Sequence, residues 1–175
     1  MTVIAVGAGA TDRDYYLEYN ITYTDTNNPA NATGTLTSAE FWFYTTATGV
    51  KVGTFYGSST SYTYRAGATI GSVTKGSKQT FTGLSFAVTI GDFIGFFSEA
   101  GALDGSLSGG GTAYYLSNDH CVAEGAQTYA IYSGIHGISI YATGATVAAV
   151  IRNKVLSYRR EHIKRMEFHK RLLLK

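Results

Sequence analysis

The sequence predicts an all-β protein, built as an antiparallel sandwich or barrel and followed by a basic C-terminal helix. The chain has 175 residues with 14 Tyr, 21 Gly, a single Pro and only 15% charged residues, a composition typical of strands with hydroxyl-rich outer faces. Nine or ten short segments of strand-like hydropathy are separated by turn residues, and no βαβ spacing is present. From residue 146 onward Gly and Pro are absent and apolar residues recur at roughly helical spacing.

The first part of the chain consists of short strands between polar turns. In residues 15–24, every second residue from Leu17 to Tyr23 lies on one face of an extended chain. This alternation predicts one strand. Residues 25–35 are rich in turn formers, which predicts a loop. The aromatic run at 41–44 is too apolar on both faces for an exposed edge, so we expect Trp42 in the core. The apolar runs and predicted strands here are residues 2–6, 15–24, 36–45, 51–56 and 61–65.

Two hairpins are predicted in the centre of the chain. Residues 70–84 form a candidate hairpin about a Lys-Gly turn, and residues 84–98 form a second one about Gly91 and Asp92. The second is the most apolar stretch of the sequence and is predicted to be a core pair of strands, with Phe96 buried. Gly95 inside its apolar run indicates a bulge or a close backbone approach.

The second half of the body is predicted to contain three more strands and two loops. Residues 99–111 are Gly-rich and of low complexity, and a loop of this length is usually functional or mobile. A polar loop covers 117–125. The predicted strands are residues 112–116, 127–133 and 137–142.

The change in composition after Gly144 places a boundary between a β-sandwich domain at 1–144 and a basic helix at 145–175, and the charge distribution also differs between the two parts of the chain. The net charge is +2, but residues 1–151 carry −5 and residues 152–175 carry +7. Such an asymmetry indicates a tail with its own partner.

The sequence predicts no catalytic, cofactor or metal site. Its densest set of metal-capable side chains is Asp119, His120, Cys121 and Glu124, but no second set at standard ligand spacing accompanies it. His120 is adjacent to Cys121, so in a strand it would point away from the thiol. We therefore expect a non-enzymatic protein and interpret this cluster as a polar loop with a half-buried thiol.

Adjacent tyrosines suggest a carbohydrate-binding module as an alternative function. The pairs at 15–16 and 114–115 offer flat apolar faces on which a sugar ring can stack. Tyr114 and Tyr115 are the favoured candidates for glycan contact because they follow the Gly-rich loop. Tyrosine on the outer face of a strand is, however, often no more than a good strand former.

The basic tail has three candidate partners, besides the interpretation that its charges serve only solubility. It can neutralise nucleic-acid phosphates, lie on an anionic membrane or dock on a protein. The Lys and Arg residues circle the predicted helix, which argues against a membrane. We favour a protein partner, including other copies of the chain as a homo-oligomer, since apolar residues recur seven apart. The predicted partner-binding residues are Arg152, Lys154, Leu156, Arg159, Arg160, Ile163, Lys164, Arg165, Met166, Lys170, Arg171 and Leu173.

The sequence resembles small Gly/Thr/Tyr-rich β-sandwich proteins of tailed bacteriophages and environmental bacterial genomes. The resemblance lies in NNPANATGTLTSAEFW (27–42), GSVTKGSKQTFTGL (71–84) and TIGDFIGFF (89–97), and it spans about residues 10–143. It implies a jelly-roll-like fold with eight to ten strands and a virion role as a capsid decoration, tail or fibre protein. Its partners would be other virion proteins and host-surface glycans. Without a recognisable signal peptide, we expect synthesis in the host cytoplasm.

Overall fold

The computed structural model describes residues 2–108, 112–132 and 134–146. Within these residues the chain forms fourteen strands and no helix, and none of them is in a helix able to cross a membrane. The strands are β1 (Val3–Gly7), β2 (Tyr15–Leu17), β3 (Ile21–Asp25), β4 (Gly34–Trp42), β5 (Ala47–Ser58), β6 (Ser61–Val73), β7 (Lys78–Val88), β8 (Phe93–Phe97), β9 (Leu103–Ser106), β10 (Ala113–Ser117), β11 (Gln127–Thr128), β12 (Ala130–Tyr132), β13 (Gly137–Ile138) and β14 (Ile140–Ala145). The prediction of an all-β antiparallel body is confirmed.

The strands form three sheets. A four-stranded sheet has the order β1-β14-β4-β7, a seven-stranded sheet has the order β11-β6-β5-β8-β3-β10-β12, and a small sheet has the order β13-β9-β2. Fully buried side chains of the first sheet, such as Leu36 and Phe41, belong to the same core cluster as Val52 and Phe96 of the second. The main core therefore lies between the two larger sheets.

Eight of the strands pair in a nested pattern. If only β1, β3 to β8 and β14 are counted, the first strand pairs with the last, the second with the seventh, the third with the sixth and the fourth with the fifth. All four pairings are antiparallel. A ribbon of two strands that is rolled up so that its ends meet produces this pattern, and each of its pairs except the innermost joins residues far apart in sequence.

Strand β1 is at one edge of the four-stranded sheet, and the loop that follows β3 covers this edge. The Gly7 N–H donates to the Asn28 carbonyl at 2.9 Å, and the Asn31 side chain accepts from the Ala5 N–H at 2.9 Å. The sequence prediction of a loop at 25–35 is correct, and in the structure this loop hydrogen-bonds to the edge strand β1. An edge strand whose polar groups are occupied in this way does not recruit another strand.

Both predicted central hairpins are wrong in their pairing. Residues 70–84 contain the end of β6 and most of β7, and residues 84–98 contain the end of β7 and all of β8, yet β7 lies in one large sheet and both β6 and β8 in the other. The turn at Gly91 is present, with φ of 87°. Its buried Asp92 accepts from Arg65 of β6 at 2.5 and 3.0 Å. The alternation of apolar residues in two successive strands is the same whether they pair in one sheet or face each other across the core. The sequence therefore did not distinguish a hairpin from two strands in different sheets.

Two further elements differ from their predictions. The predicted strand at 15–24 divides into β2 and β3, which belong to different sheets, because Asn20 takes a left-handed conformation with φ of 56°. The predicted Gly-rich loop at 99–111 contains β9, all four residues of which are buried. Gly95 makes the predicted close approach, since a Cβ there would lie 2.5 Å from the Tyr23 carbonyl oxygen.

The predicted domain boundary at residue 144 falls one residue before the end of β14. The predicted C-terminal helix at 145–175 does not begin at residue 145, because Ala145 is the last residue of β14. The rest of it, residues 147–175 with all twelve partner-binding residues named for it, lies outside the described part of the chain.

Candidate binding site

Three tyrosine rings, Tyr15, Tyr16 and Tyr44, form a stack at the protein surface. The centroids of the Tyr15 and Tyr16 rings are 5.5 Å apart with their planes 10° apart, and those of Tyr16 and Tyr44 are 5.4 Å and 14° apart. Tyr15 is half-buried, whereas Tyr16 is 46% exposed and Tyr44 is 59% exposed. This tyrosine stack therefore has two of its three rings open to solvent.

Backbone pairing on both sides of β9 positions the tyrosine stack. On one side Tyr16 of β2 lies directly opposite Asp104. On the other side the Tyr44 N–H donates to the Ala102 carbonyl at 2.9 Å, and the Ala102 N–H donates to the Thr45 hydroxyl at 2.8 Å. The Tyr16 and Tyr44 rings thus come from opposite sides of β9 and meet over that strand.

Alternation along these three segments separates a core face from a surface face. Leu17, Leu103 and Phe43 are opposite one another in register and are fully buried. Because successive side chains of a strand point to opposite faces, the neighbouring residues Tyr16, Asp104 and Tyr44 share the other face. The same packing that buries the leucines fixes the direction of the two exposed tyrosines.

Asp104 is buried although it lies on this outward face. Its side chain is 1% exposed, and neither carboxyl oxygen makes a hydrogen bond to a described residue. Burial and the nearby Asp12 carboxyl together raise the pKa of Asp104 to about 6, although the nearby backbone N–H and the charge of Arg13 act to lower it.

Arg13 organises the polar groups next to Asp104. Its Nε donates to the Ser139 hydroxyl at 2.7 Å, and its Nη2 donates to the carbonyls of Ala8 and Gly9 at 3.2 and 3.1 Å. Burial also raises the pKa of Asp25, which two hydrogen bonds from Asn27 and the charge of Arg13 partly offset. The Arg13 guanidinium thus lies near two buried carboxyls, while its hydrogen bonds to described residues go to uncharged oxygens.

The predicted glycan-contact residues Tyr114 and Tyr115 lie elsewhere, on β10 within the seven-stranded sheet. Both are half-buried. The Tyr114 ring lies 5.0 Å from that of Tyr62, and the Tyr115 ring lies 5.4 Å from that of Tyr132 in an edge-to-face arrangement. Each is packed among aromatic neighbours, on opposite faces of the sheet, so the two rings do not form a common platform.

Tyr114 belongs to a second apolar cluster on the outer face of the seven-stranded sheet. The cluster is covered by the segment after β10, from which Cys121 and Tyr129 are buried in it. Gly53 and Gly95 pair directly beneath it, and a Cβ at either position would lie within 2.7 Å of the Tyr64 or Phe55 ring. The buried members are Phe55, Tyr62, Phe97, Cys121 and Tyr129.

The polar loop at 117–125 is held by pairwise contacts. Asp119 pairs with Lys51, and the His120 Nδ1 lies 2.5 Å from the Glu124 carboxylate. Burial strongly raises the pKa of Cys121, so its thiol is protonated at neutral pH, and the thiol is more deeply buried than predicted. Within the described residues no three His, Cys, Asp or Glu side chains are arranged to hold a metal ion.

Sequence reasoning considered Tyr16 only as part of a pair and missed Tyr44 and Asp104. The prediction that Trp42 belongs to the core is wrong, since it is half-buried while Phe41 and Phe43 are fully buried. Strict alternation through residues 41–44 contained the signal, because burying Phe41 and Phe43 directs Trp42 and Tyr44 outward.

The chain matches no protein-family model and no curated protein.

Proposed function

We propose that the chain is a non-enzymatic structural protein of a virus particle with a jelly-roll body. The nested pairing of β1, β3 to β8 and β14 is the observation that carries the proposal. Two sheets of four strands with this order are the arrangement of the jelly roll, which is typical of viral capsid and lectin domains. In this assignment β10, β11 and β12 extend the second sheet at its two ends, and β2, β9 and β13 form the additional small sheet.

The resemblance to β-sandwich proteins of tailed bacteriophages favours a capsid decoration, tail or fibre component. The body is displayed on the particle, and the loops and short strands at its margins are the surface on which variation is tolerated. A stable body without a disulfide suits this role, and the single Cys121 is buried in the outer-face cluster.

The C-terminal segment attaches the body to the particle or to other copies of the chain. Its charge of +7 is opposite in sign to the −5 of residues 1–151, so attraction between copies favours an oligomer at low ionic strength. The apolar residues Leu156, Ile163, Met166 and Leu173 supply the contacts that salt does not screen.

Deletion of residues 152–175 tests the attachment. We expect the truncated protein to stay folded, as judged by circular dichroism, but to lose its oligomeric state in light scattering and its co-sedimentation with purified virions. A truncated protein that assembles as well as the full chain contradicts the proposal.

Two matched variants of the full chain separate a protein partner from nucleic acid. One replaces Leu156, Ile163, Met166 and Leu173 by Ser, and the other replaces Arg159, Arg160, Lys164 and Arg165 by Gln. A protein partner is lost mainly in the first variant. Binding to random duplex DNA is lost in the second and falls steeply with salt, with a slope set by the number of phosphates neutralised.

A further inference from the structure

We propose that the tyrosine stack is a saccharide-binding site. The outer face of the exposed Tyr44 ring forms the stacking surface, the Tyr16 ring supports it from behind, and the carboxylate of Asp12 accepts hydrogen bonds from sugar hydroxyls. The proposal concerns the purified protein alone, so it stands or falls independently of the virion role.

The shape of the site suits a pyranose ring. The C–H faces of a sugar are flat and apolar, and an aromatic ring of comparable size offers the complementary surface. Tyrosine provides this surface with few rotatable bonds, so little side-chain entropy is lost on binding. Here Tyr16 and Tyr44 already support each other at 5.4 Å and are fixed by backbone pairing on both sides of β9, so the surface is formed before a ligand arrives.

Polar groups that recognise hydroxyls lie beside the rings. Asp12 is exposed, and it is close enough to Asp104 to raise that residue's pKa. Asp12 precedes Tyr15 by three residues in the sequence, and Asp104, whose carboxyl it affects, lies directly opposite Tyr16. A few polar groups at the margin of an apolar surface are what orient a small ligand.

The size of the surface favours a saccharide over a protein. Nine large hydrophobic side chains are exposed among the described residues, and of these only Tyr16 and Tyr44 are in ring contact with each other. A stable protein interface buries at least about 1,200 Å² around several adjacent anchors. The surface formed by two rings and a neighbouring carboxylate is comparable in size to one or two sugar units.

The first measurement is a glycan array probed with the full-length protein, including neutral bacterial polysaccharide fragments. The strongest neutral oligosaccharide is then titrated by calorimetry. We expect saturable binding to a neutral glycan that Tyr44→Ala and Tyr16→Ala each weaken by about tenfold or more. Asp12→Ala should weaken it by a smaller factor, and Tyr44→Phe should retain it.

Tyr19→Ala and Tyr56→Ala are the matched controls. Tyr19 is 53% exposed and Tyr56 is 44% exposed, and neither belongs to the tyrosine stack. Both should bind like the unmodified chain. Because the controls and the test variants all alter exposed tyrosines, a general loss of stability would affect them alike.

Three results would overturn the proposal. The first is silence of the protein toward every neutral glycan. The second is an equal loss of affinity in Tyr19→Ala and Tyr44→Ala. The third is binding restricted to acidic glycans that disappears as salt is raised, since this would identify the basic residues 152–175 as the binding segment.

Discussion

Two pairs of adjacent tyrosines, Tyr15–Tyr16 and Tyr114–Tyr115, occupy short strands of similar local sequence, and they meet very different surroundings. Tyr115 packs against Tyr132 and Tyr23 on the core face of its sheet, and Tyr114 packs against Tyr62 on the outer face. Tyr16 instead stacks on Tyr44 with nearly half of its side chain exposed.

The difference arises from what covers each strand. Strand β10 lies between β3 and β12, and the segment that buries Cys121 covers the outer cluster beside it. Strand β2 is at the edge of a three-stranded sheet, with one face on the core and the other open. The same residue type therefore stabilises the fold in one place and is available for binding in the other.

The largest expected effect is that of Phe96→Asp, on the core side of the comparison. Phe96 is fully buried and its ring lies 5.5 Å from that of Tyr23, so the substitution buries an unpaired charge. We expect loss of the cooperative thermal transition in circular dichroism. Ile90→Asp is the control, because Ile90 is 64% exposed and the change should leave the transition in place. A normally folded Phe96→Asp protein would show that this core is not packed as described.

The next effect contrasts the two tyrosine regions directly. Tyr115→Ala removes a ring packed against the core and should lower the free energy of unfolding by about 2–3 kcal/mol. Tyr44→Ala removes an exposed ring and should lower it by about 0.5 kcal/mol or less. Urea unfolding followed by circular dichroism measures both. Equal losses would mean that the distinction between the two regions has no energetic basis.

The third expected effect, smaller than the loss in Tyr115→Ala, concerns the buried carboxyl of Asp104, which lies opposite Tyr16. Because burial raises the pKa of Asp104 to about 6, its charged form is less stable in the fold than in the unfolded chain. Its contribution to stability is therefore full below the unfolded pKa of about 3.9 and is lost as pH rises through 6.

Asp104→Asn should remove this pH dependence. We expect it to raise the free energy of unfolding at pH 7 by about 1–2 kcal/mol and to flatten the stability profile between about pH 4 and 6. Asp14→Asn, at an exposed carboxyl, is the control for the loss of one negative charge. An unaltered profile in Asp104→Asn would show that water reaches this carboxyl.

The strands themselves were largely predictable, and their partners were not. The alternation around Phe86, Val88 and Phe96 identified two core-facing strands correctly, and Gly95 was correctly interpreted as a close approach. The same pattern was wrongly assigned to one hairpin, because β7 and β8 belong to different sheets. Hydropathy along a strand indicates that one face is buried. It does not indicate which other residues cover that face.

The candidate site was less predictable than the fold. The Gly-rich composition at 99–111 concealed β9, whose Asp104 is buried despite its polar type. Tyr44 ends the aromatic run at 41–44, which was interpreted as too apolar on both faces for an exposed edge. Both residues acquire their properties from contacts with β2 and Ala102 that are distant in sequence.

The sequence by itself determined the antiparallel all-β class of the body, the loop at 25–35, the turn at Gly91 and Asp92, and the contrast in charge between the body and residues 152–175. These depend on side-chain period, on backbone freedom and on counting charges, which are local quantities. The tertiary structure alone decided which strands share a sheet and which tyrosines remain exposed. Those outcomes depend on pairing between distant segments, and the free energy that selects one pairing comes from the core that all the strands bury together.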